Sequence, residues 1–232
     1  MRMTMTRAQP AVPAGIDWVL ERMRTLEAAL PPTDGVAVFN RVYLSVTEEV
    51  GRRAATGGFR DGEAAAELDV RFAKRYLHAV DQAALGRRQP ACWRPLFQLR
   101  GHPAVQPLQF ALAGINAHIG HDLALALADT CRARDAEPRS LEADFHRVGE
   151  LLVAMEERIR EELMPGPDLL DVADPLTHLV GSWTLEAARS AAWASFRALW
   201  AMRALPDVAE EFTDRVDASV GMVGRCLLTP LG

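Results

Sequence analysis

Residues 108–128 read LQFALAGINAHIGHDLALALA and form the most hydrophobic segment of this 232-residue chain. The apolar residues recur at helical spacing, which predicts a helix that the rest of the protein covers on nearly every side. Four polar residues at its centre would be expensive to place in lipid: Asn116, His118, His121 and Asp122. The sequence therefore predicts a buried helix over residues 104–131, not a membrane span.

Helical spacing of apolar residues continues through most of the chain, and no sustained two-residue alternation predicts a strand. Proline and glycine divide the sequence into segments of helix length. We therefore expect an all-α protein, a single compact orthogonal bundle of about eight helices in which the helix over 104–131 is central. Residues 1–13 are expected to be a frayed tail, and residues 14–232 one helical domain. The predicted segments cover 16–30, 35–55, 62–85, 93–99, 104–131, 141–163, 169–181, 184–205 and 208–227.

Composition and charge exclude several classes of protein function. Hydrophobic residues make up 49% of the chain and charged residues 25%, which is typical of a globular protein. The net charge is −5 and the charges are scattered, so no basic surface is expected to bind nucleic acid. Cys92, Cys131 and Cys226 are too widely spaced for a CxxC metal clip or a disulfide framework. We predict a cytoplasmic protein without nucleic-acid or membrane partners.

Several polar side chains fall on apolar helix faces, because a helix advances about 100° per residue. On the helix over 62–85, this rotation places Asp69 and Tyr76 on the inward face. On the central helix, His118 and Asp122 are four residues apart and can reach each other. A buried charge without a partner costs several kcal/mol, so we expect these groups to meet each other or a ligand.

An arginine is predicted within an aromatic row of the helix over 184–205. Arg189 shares its face with Trp193, so its guanidinium needs a carboxylate or a ligand anion. On the helix over 141–163, Glu156 lies among apolar residues in the same way. We expect these inward charges to form one polar cluster: Asp69, Asp122, Glu156, His118 and Arg189.

A buried His–Asp pair supports general acid–base catalysis, in which Asp122 orients the imidazole and the second nitrogen of His118 moves a substrate proton. We expect a small-molecule enzyme of specialised metabolism that acts without a cofactor on an apolar substrate, by cyclisation, isomerisation or dehydration. Arg189 would hold an anionic group, Trp193 would bind the apolar part, and Gly114 would leave room beside His118. The other expected contributors are Asp69 and Tyr76 in catalysis, and Asn116 and Tyr43 in substrate binding.

Two other interpretations use the same residues. His118, Asp122 and Asp69 are also suitable ligands for zinc or iron, although the chain lacks a His-Glu-x-x-His motif and a pair of Glu-x-x-His motifs. A metal-dependent enzyme is therefore the second hypothesis. The third is a non-catalytic ligand-binding or structural protein, in which the buried charges only fix the helix packing. A homo-oligomer is compatible with each hypothesis.

The sequence also resembles a known family. The family is bacterial, largely actinobacterial and helical, is known only as a domain of unknown function, and is similar over about residues 34–200. Its motif Asn-Ala-His-Ile-x-x-Asp-Leu falls on Asn116, His118 and Asp122, while Gly120 departs from the usual asparagine and His121 falls on a variable position. The resemblance implies a shared helical fold and singles out His118 and Asp122, but it implies no reaction. The segments that carry it are LDVRFAKRYL at 68–77, CWRPLF at 92–97, GINAHIGHDL at 114–123 and ARSAAW at 188–193.

Overall fold

The computed structural model describes residues 15–163 and 184–230, and their side chains except those of 156–163. Within these ranges every regular element is a helix, so the predicted all-α class is confirmed. The predicted segment over 169–181, the tail over 1–13 and the side chain of Glu156 lie outside what is described. The described ranges contain eight continuous helices: α1 (Ile16–Ala29), α2 (Gly35–Ala55), α3 (Gly62–Ala84), α4 (Arg94–Leu99), α5 (Pro107–Ala133), α6 (Arg139–Leu163), α7 (Leu185–Ala201) and α8 (Pro206–Leu227).

Helix α5 lies at the centre of the bundle, as the sequence predicts. It packs against α2 and α8 with its first half and against α3 and α7 with its second half. Among the described helices, α5 is the one long and apolar enough to cross a membrane, yet 83% of its most apolar window is buried inside the protein. The residues of α5 therefore provide the surface on which α2, α3, α7 and α8 pack.

The helix starts follow from local side-chain chemistry. Asp34 precedes α2, and its carboxylate accepts a hydrogen bond from the amide of Val36 at 2.8 Å. Asp61 caps α3 in the same way by accepting from the amide of Ala64 at 2.9 Å. Such caps satisfy backbone amides that have no partner within the helix. Arg100 also donates to Asp34 at 2.6 Å, which ties the end of α4 to the start of α2.

The face of α3 that the helical period places inward is buried. Asp69 and Tyr76 both lie on this face, so the prediction that these two polar side chains point inward is confirmed. Their apolar neighbours on the same face are Ala65, Ala73 and Val80.

Helices α2 and α5 approach closely because each places a phenylalanine ring against a glycine of the other. A Cβ atom on Gly114 of α5 would lie 2.3 Å from the ring of Phe39, and one on Gly35 of α2 would lie 2.5 Å from the ring of Phe110. The prediction that Gly114 leaves room for a ligand beside His118 is therefore wrong. The ring of Phe39 fills this space, because close packing of the two helices requires the glycine.

We expect Gly114→Ala to lower the free energy of unfolding by about 2 kcal/mol, the usual cost of overpacking a core. Alanine has a higher helix propensity than glycine by about 1 kcal/mol, so a net loss of stability reflects the clash with Phe39. Urea unfolding of both proteins tests this.

The matched control is Gly101→Ala, because no heavy atom lies within 4 Å of a Cβ at that position. Its unfolding free energy should stay within about 0.5 kcal/mol of the unsubstituted protein. A Gly114→Ala protein as stable as the control would contradict the packing described.

Candidate functional site

A π-helical turn interrupts α5 at its centre. It spans His118–Asp122, and the amide of Leu123 donates to the carbonyl of His118, five residues earlier. Single π turns are rare in proteins, and many of those that occur lie at functional sites. A Cβ on Gly120, within this turn, would lie 3.0 Å from Val220 of α8, so α8 packs closely on the turn.

The carboxylate of Asp122 accepts three hydrogen bonds in the interior. Its Oδ2 atom lies 3.0 Å from Nδ1 of His118 and accepts from Nε1 of Trp93 at 2.9 Å. Its Oδ1 atom lies 2.9 Å from Nδ1 of His121. An ionised carboxylate only accepts, so the Nδ1 atom of each histidine carries the proton. The predicted contact between His118 and Asp122 is present, and Trp93 and His121 complete the set.

The charges in this group follow from burial and hydrogen bonding. Burial alone would raise the pKa of Asp122, but the hydrogen bonds of His118 and His121 outweigh it and lower that pKa to about 2. Burial lowers the pKa of His118, and this outweighs the opposing effect of Asp122. At neutral pH, Asp122 is therefore ionised and His118 is neutral, with a lone pair on Nε2.

Aromatic rings enclose the imidazole of His118. The ring of Phe72 stacks on it, with centroids 3.5 Å apart and planes 6° from parallel. The ring of Tyr43 lies edge-on at 4.4 Å. Within this enclosure, Nε2 of His118 has no hydrogen-bond partner among the residues that the structure describes. Three further rings surround it with centroids at 5.8–6.2 Å: Phe39, Tyr76 and Trp93.

Four buried polar atoms lack a hydrogen-bond partner among the described side chains: Oη of Tyr43, Oγ1 of Thr47, Oδ2 of Asp69 and Nε2 of His118. Tyr43 and Thr47 are one turn apart on α2, and α3 and α5 supply the other two. Burial is the main cause that raises the pKa of Tyr43; the charge of Asp69 raises it further, and the side chain of Thr47 lowers it. An unpaired buried group costs about 1–3 kcal/mol, so each of the four needs a partner that the described side chains do not supply, such as a buried water or a ligand.

Asp69 differs from Asp122 in having no donor at its Oδ2 atom. Burial raises its pKa to about 7. Its carboxyl group therefore gains and loses a proton near neutral pH, which is the range suited to a catalytic acid or base.

Two of the predicted site residues have packing partners. The hydroxyl of Tyr76 donates to the side-chain oxygen of Asn40 at 3.2 Å. The amide of Asn116 donates to the backbone carbonyl of Val220 at 3.0 Å and so holds α8 against α5. Their polar atoms are thus engaged within the protein.

Arg189 lies apart from His118. Its guanidinium donates to the backbone carbonyl of Phe145 and lies over that ring at 4.2 Å from the centroid. Burial lowers the pKa of Arg189 to about 10. The expectation of one polar cluster is therefore wrong for Arg189, because the helical period fixes which side chains point inward but not which ones meet.

Trp193 is also separate from the histidine. Its ring packs on Phe145 and Phe196, with centroids 4.6 and 5.2 Å away. Its outer edge lines an open surface groove of about 580 Å³, whose walls do not include His118. The other residues of the groove are Glu137, Pro138, Arg139, Glu142 and Arg197.

A group of possible metal ligands includes His121, which is hydrogen-bonded to Asp122. In the part of the chain that the structure describes, a ligand atom from each of Cys92, His121 and Asp217 lies within 4.8 Å of the other two. The predicted set of His118, Asp122 and Asp69 does not meet this condition. Little in the sequence indicates the observed trio, because its members are far apart along the chain.

The residues of the site that sequence reasoning missed are Trp93, Thr47 and the enclosing rings of Phe39 and Phe72. The aromatic residues Trp93, Phe39 and Phe72 belong to apolar patterns that predict only burial. Thr47 lies one turn after Tyr43, but this spacing is not distinctive. A buried unpaired hydroxyl can be recognised only once its neighbours are known.

The sequence of the chain matches a family of unknown function, DUF5995, over residues 16–230. The chain belongs to this family. Membership of DUF5995 confirms the predicted resemblance and extends it beyond residues 34–200, while the actinobacterial range and the histidine motif stay predictions. No protein of curated function matches the chain, and no solved structure does.

We expect Asp69→Asn to raise the free energy of unfolding at neutral pH. An unfolded aspartate titrates near pH 3.9, whereas in the folded protein the pKa of Asp69 is about 7. Between these values the folded state holds a proton that the unfolded state lacks, so the unsubstituted protein loses stability as pH rises from about 4 to about 7. The advantage of the variant should grow over this window to a few kcal/mol, about 1.4 per pKa unit, and then level off.

Urea unfolding at a series of pH values measures both curves. Asp214→Asn is the control, because Asp214 is exposed on α8. Its curve should run parallel to that of the unsubstituted protein. If Asp69→Asn also runs parallel, the buried, protonated state of Asp69 is contradicted.

Proposed function

We propose that the protein is a small-molecule enzyme in which Nε2 of His118 moves a substrate proton. One observation carries the proposal: this nitrogen is buried and unpaired, while the opposite ring nitrogen is fixed by Asp122. A neutral imidazole held in one tautomer is the usual form of a histidine general base.

The other buried unpaired atoms are candidates for the remaining parts of such a reaction. Asp69 titrates near neutral pH and can return a proton to the substrate. The hydroxyl of Tyr43 can donate to an oxygen that becomes negative, and Thr47 lies one turn away to bind a polar group. Asp122 acts through His118, as a positioning residue.

The enclosing rings indicate the class of substrate. Phe39, Phe72 and Trp93 present apolar, polarisable surfaces around the imidazole. An apolar or aromatic compound with one polar function fits this environment. Proton removal and return at such a compound gives isomerisation, cyclisation or dehydration, and none of these consumes an oxidant.

Access to Nε2 requires a movement of side chains. Phe72 covers one face of the imidazole and Tyr43 lies against it edge-on. Substrate binding must therefore turn at least one of these rings away. The packing between α2, α3 and α5 would then determine which substrates can bind.

A structural role is the competing candidate, and one observation favours it. The hydrogen bond from Trp93 to Asp122 ties α4 to α5, and His118 is packed in the core with only 2% of its surface exposed. That role accounts for the bonds to Asp122. It does not account for Nε2 of His118 or for the three other buried polar atoms that have no hydrogen-bond partner among the described side chains.

The proposal is tested by incubating the purified protein with a small-molecule extract of cells that express its gene natively, in deuterium oxide, and following the extract by mass spectrometry. We expect one compound to be converted to an isomer, or to a product that has lost one water, and that product to carry deuterium from the solvent. His118→Gln and Asp122→Asn should slow this conversion by about 10²–10⁴-fold.

The matched control is His78→Gln, because His78 is exposed on α3. It should retain full conversion, and circular dichroism should show that all variants are folded. An extract that the protein leaves unchanged, or a conversion that persists in His118→Gln, would favour the structural role.

A further inference from the structure

A second group of chemically reactive side chains adjoins Asp122, because one of its members, His121, is hydrogen-bonded to that carboxylate. Cys92 comes from the turn before α4, His121 from the π turn of α5, and Asp217 from α8. We propose that these three residues bind a zinc ion. Cys92 and His121 are buried, and Asp217 is partly exposed, so the carboxylate marks the route from solvent.

The donor set is the one that zinc prefers. Zinc binds thiolate sulfur at about 2.3 Å, and imidazole nitrogen and carboxylate oxygen at about 2.0–2.2 Å, with tetrahedral geometry. Ligand atoms around such an ion are about 3.3–3.7 Å apart. The three ligand atoms here lie within 4.8 Å of one another, so small side-chain movements close the site. A water molecule would complete the tetrahedron.

Two of the three ligand side chains, those of His121 and Asp217, are already held by neighbours. Nδ1 of His121 is bonded to Asp122 at 2.9 Å, which leaves Nε2 as the nitrogen with a free lone pair. A carboxylate behind a histidine is the common support of a zinc-binding imidazole. The two oxygens of Asp217 accept from the amides of Ala91 and Cys92 at 2.7 and 2.9 Å, and each oxygen keeps a second lone pair.

The backbone around the site is closely packed. A Cβ on Gly221 of α8 would lie 2.4 Å from the carbonyl oxygen of Ala91. The turn that carries Cys92 is therefore pressed against the helix that carries Asp217. This contact fixes the distance between two of the three ligands before any ion binds.

The charges balance when zinc binds. Zinc replaces the proton of the Cys92 thiol, and that proton is released to solvent. The thiolate and the carboxylate of Asp217 then carry two negative charges opposite the two positive charges of the ion, and His121 stays neutral. Without an ion, the thiol keeps its proton beside the carboxylate of Asp217.

The site is tested with the full-length protein without a histidine tag, first by titration with cobalt(II) as a spectroscopic substitute for zinc. We expect one equivalent of cobalt to give a thiolate-to-metal charge-transfer band and tetrahedral d–d bands. One equivalent of added zinc should abolish both. A protein that gives no charge-transfer band contains only a thiol–carboxylate hydrogen bond, and the proposal is then overturned.

Substitutions identify the ligands. Cys92→Ser should remove the charge-transfer band, and His121→Ala and Asp217→Asn should each weaken zinc binding by at least about 10-fold, the lower limit for loss of a supporting group. Cys226→Ser is the matched control, because Cys226 is exposed and lies outside the site, so its band should be unchanged. A band that survives in Cys92→Ser overturns the assignment. If a variant fails to fold, the titration of the unsubstituted protein still decides whether the site exists.

The zinc site and the proposed proton transfer are independent in this test. His118 is not among the ligands, so His118→Gln should bind zinc as the unsubstituted protein does. Loss of the metal in that variant would contradict the ligand set of Cys92, His121 and Asp217.

Discussion

The carboxylate of Asp122 is a buried negative charge on which the centre of the bundle depends. An ionised group in the interior is tolerated only when donors surround it, and here three ring N–H groups point at its two oxygens. Those donors belong to Trp93, His118 and His121, so α4 and the π turn of α5 are oriented by one charge. Removing that charge would leave three buried donors without an acceptor.

The same carboxylate separates two regions of different chemistry. In one region, the imidazole of His118 lies within an aromatic enclosure, and its Nε2 atom has no hydrogen-bond partner among the described residues. In the other, His121 faces a thiol and a carboxylate. Because both histidines donate Nδ1–H to Asp122, both are left with Nε2 as the nitrogen that can accept a proton or a metal ion. The π turn carries all three residues and brings the imidazoles of residues 118 and 121 to the carboxylate of residue 122.

The sequence predicted the helices and the direction of their side chains better than it predicted which side chains contact each other. Helical spacing along α3 was sufficient to place Asp69 and Tyr76 inward, and a four-residue separation was sufficient to pair His118 with Asp122. The same arithmetic also turned Arg189 inward, but its partner depends on how α7 packs on the rest of the bundle, which no local pattern encodes. Gly114 shows a similar limit, since a small residue predicts either a cavity or a close contact, and only the position of the Phe39 ring decides between them.

The central claim is that Asp122 holds His118 as a neutral imidazole with its proton on Nδ1. The most direct measurement is nitrogen-15 NMR of the protein labelled at histidine, with the His118 signals assigned by their loss in His118→Gln. We predict a protonated Nδ1 and an unprotonated Nε2 at neutral pH and above, because burial lowers the pKa of His118. A proton on Nε2, or a doubly protonated imidazole in that range, would contradict this claim.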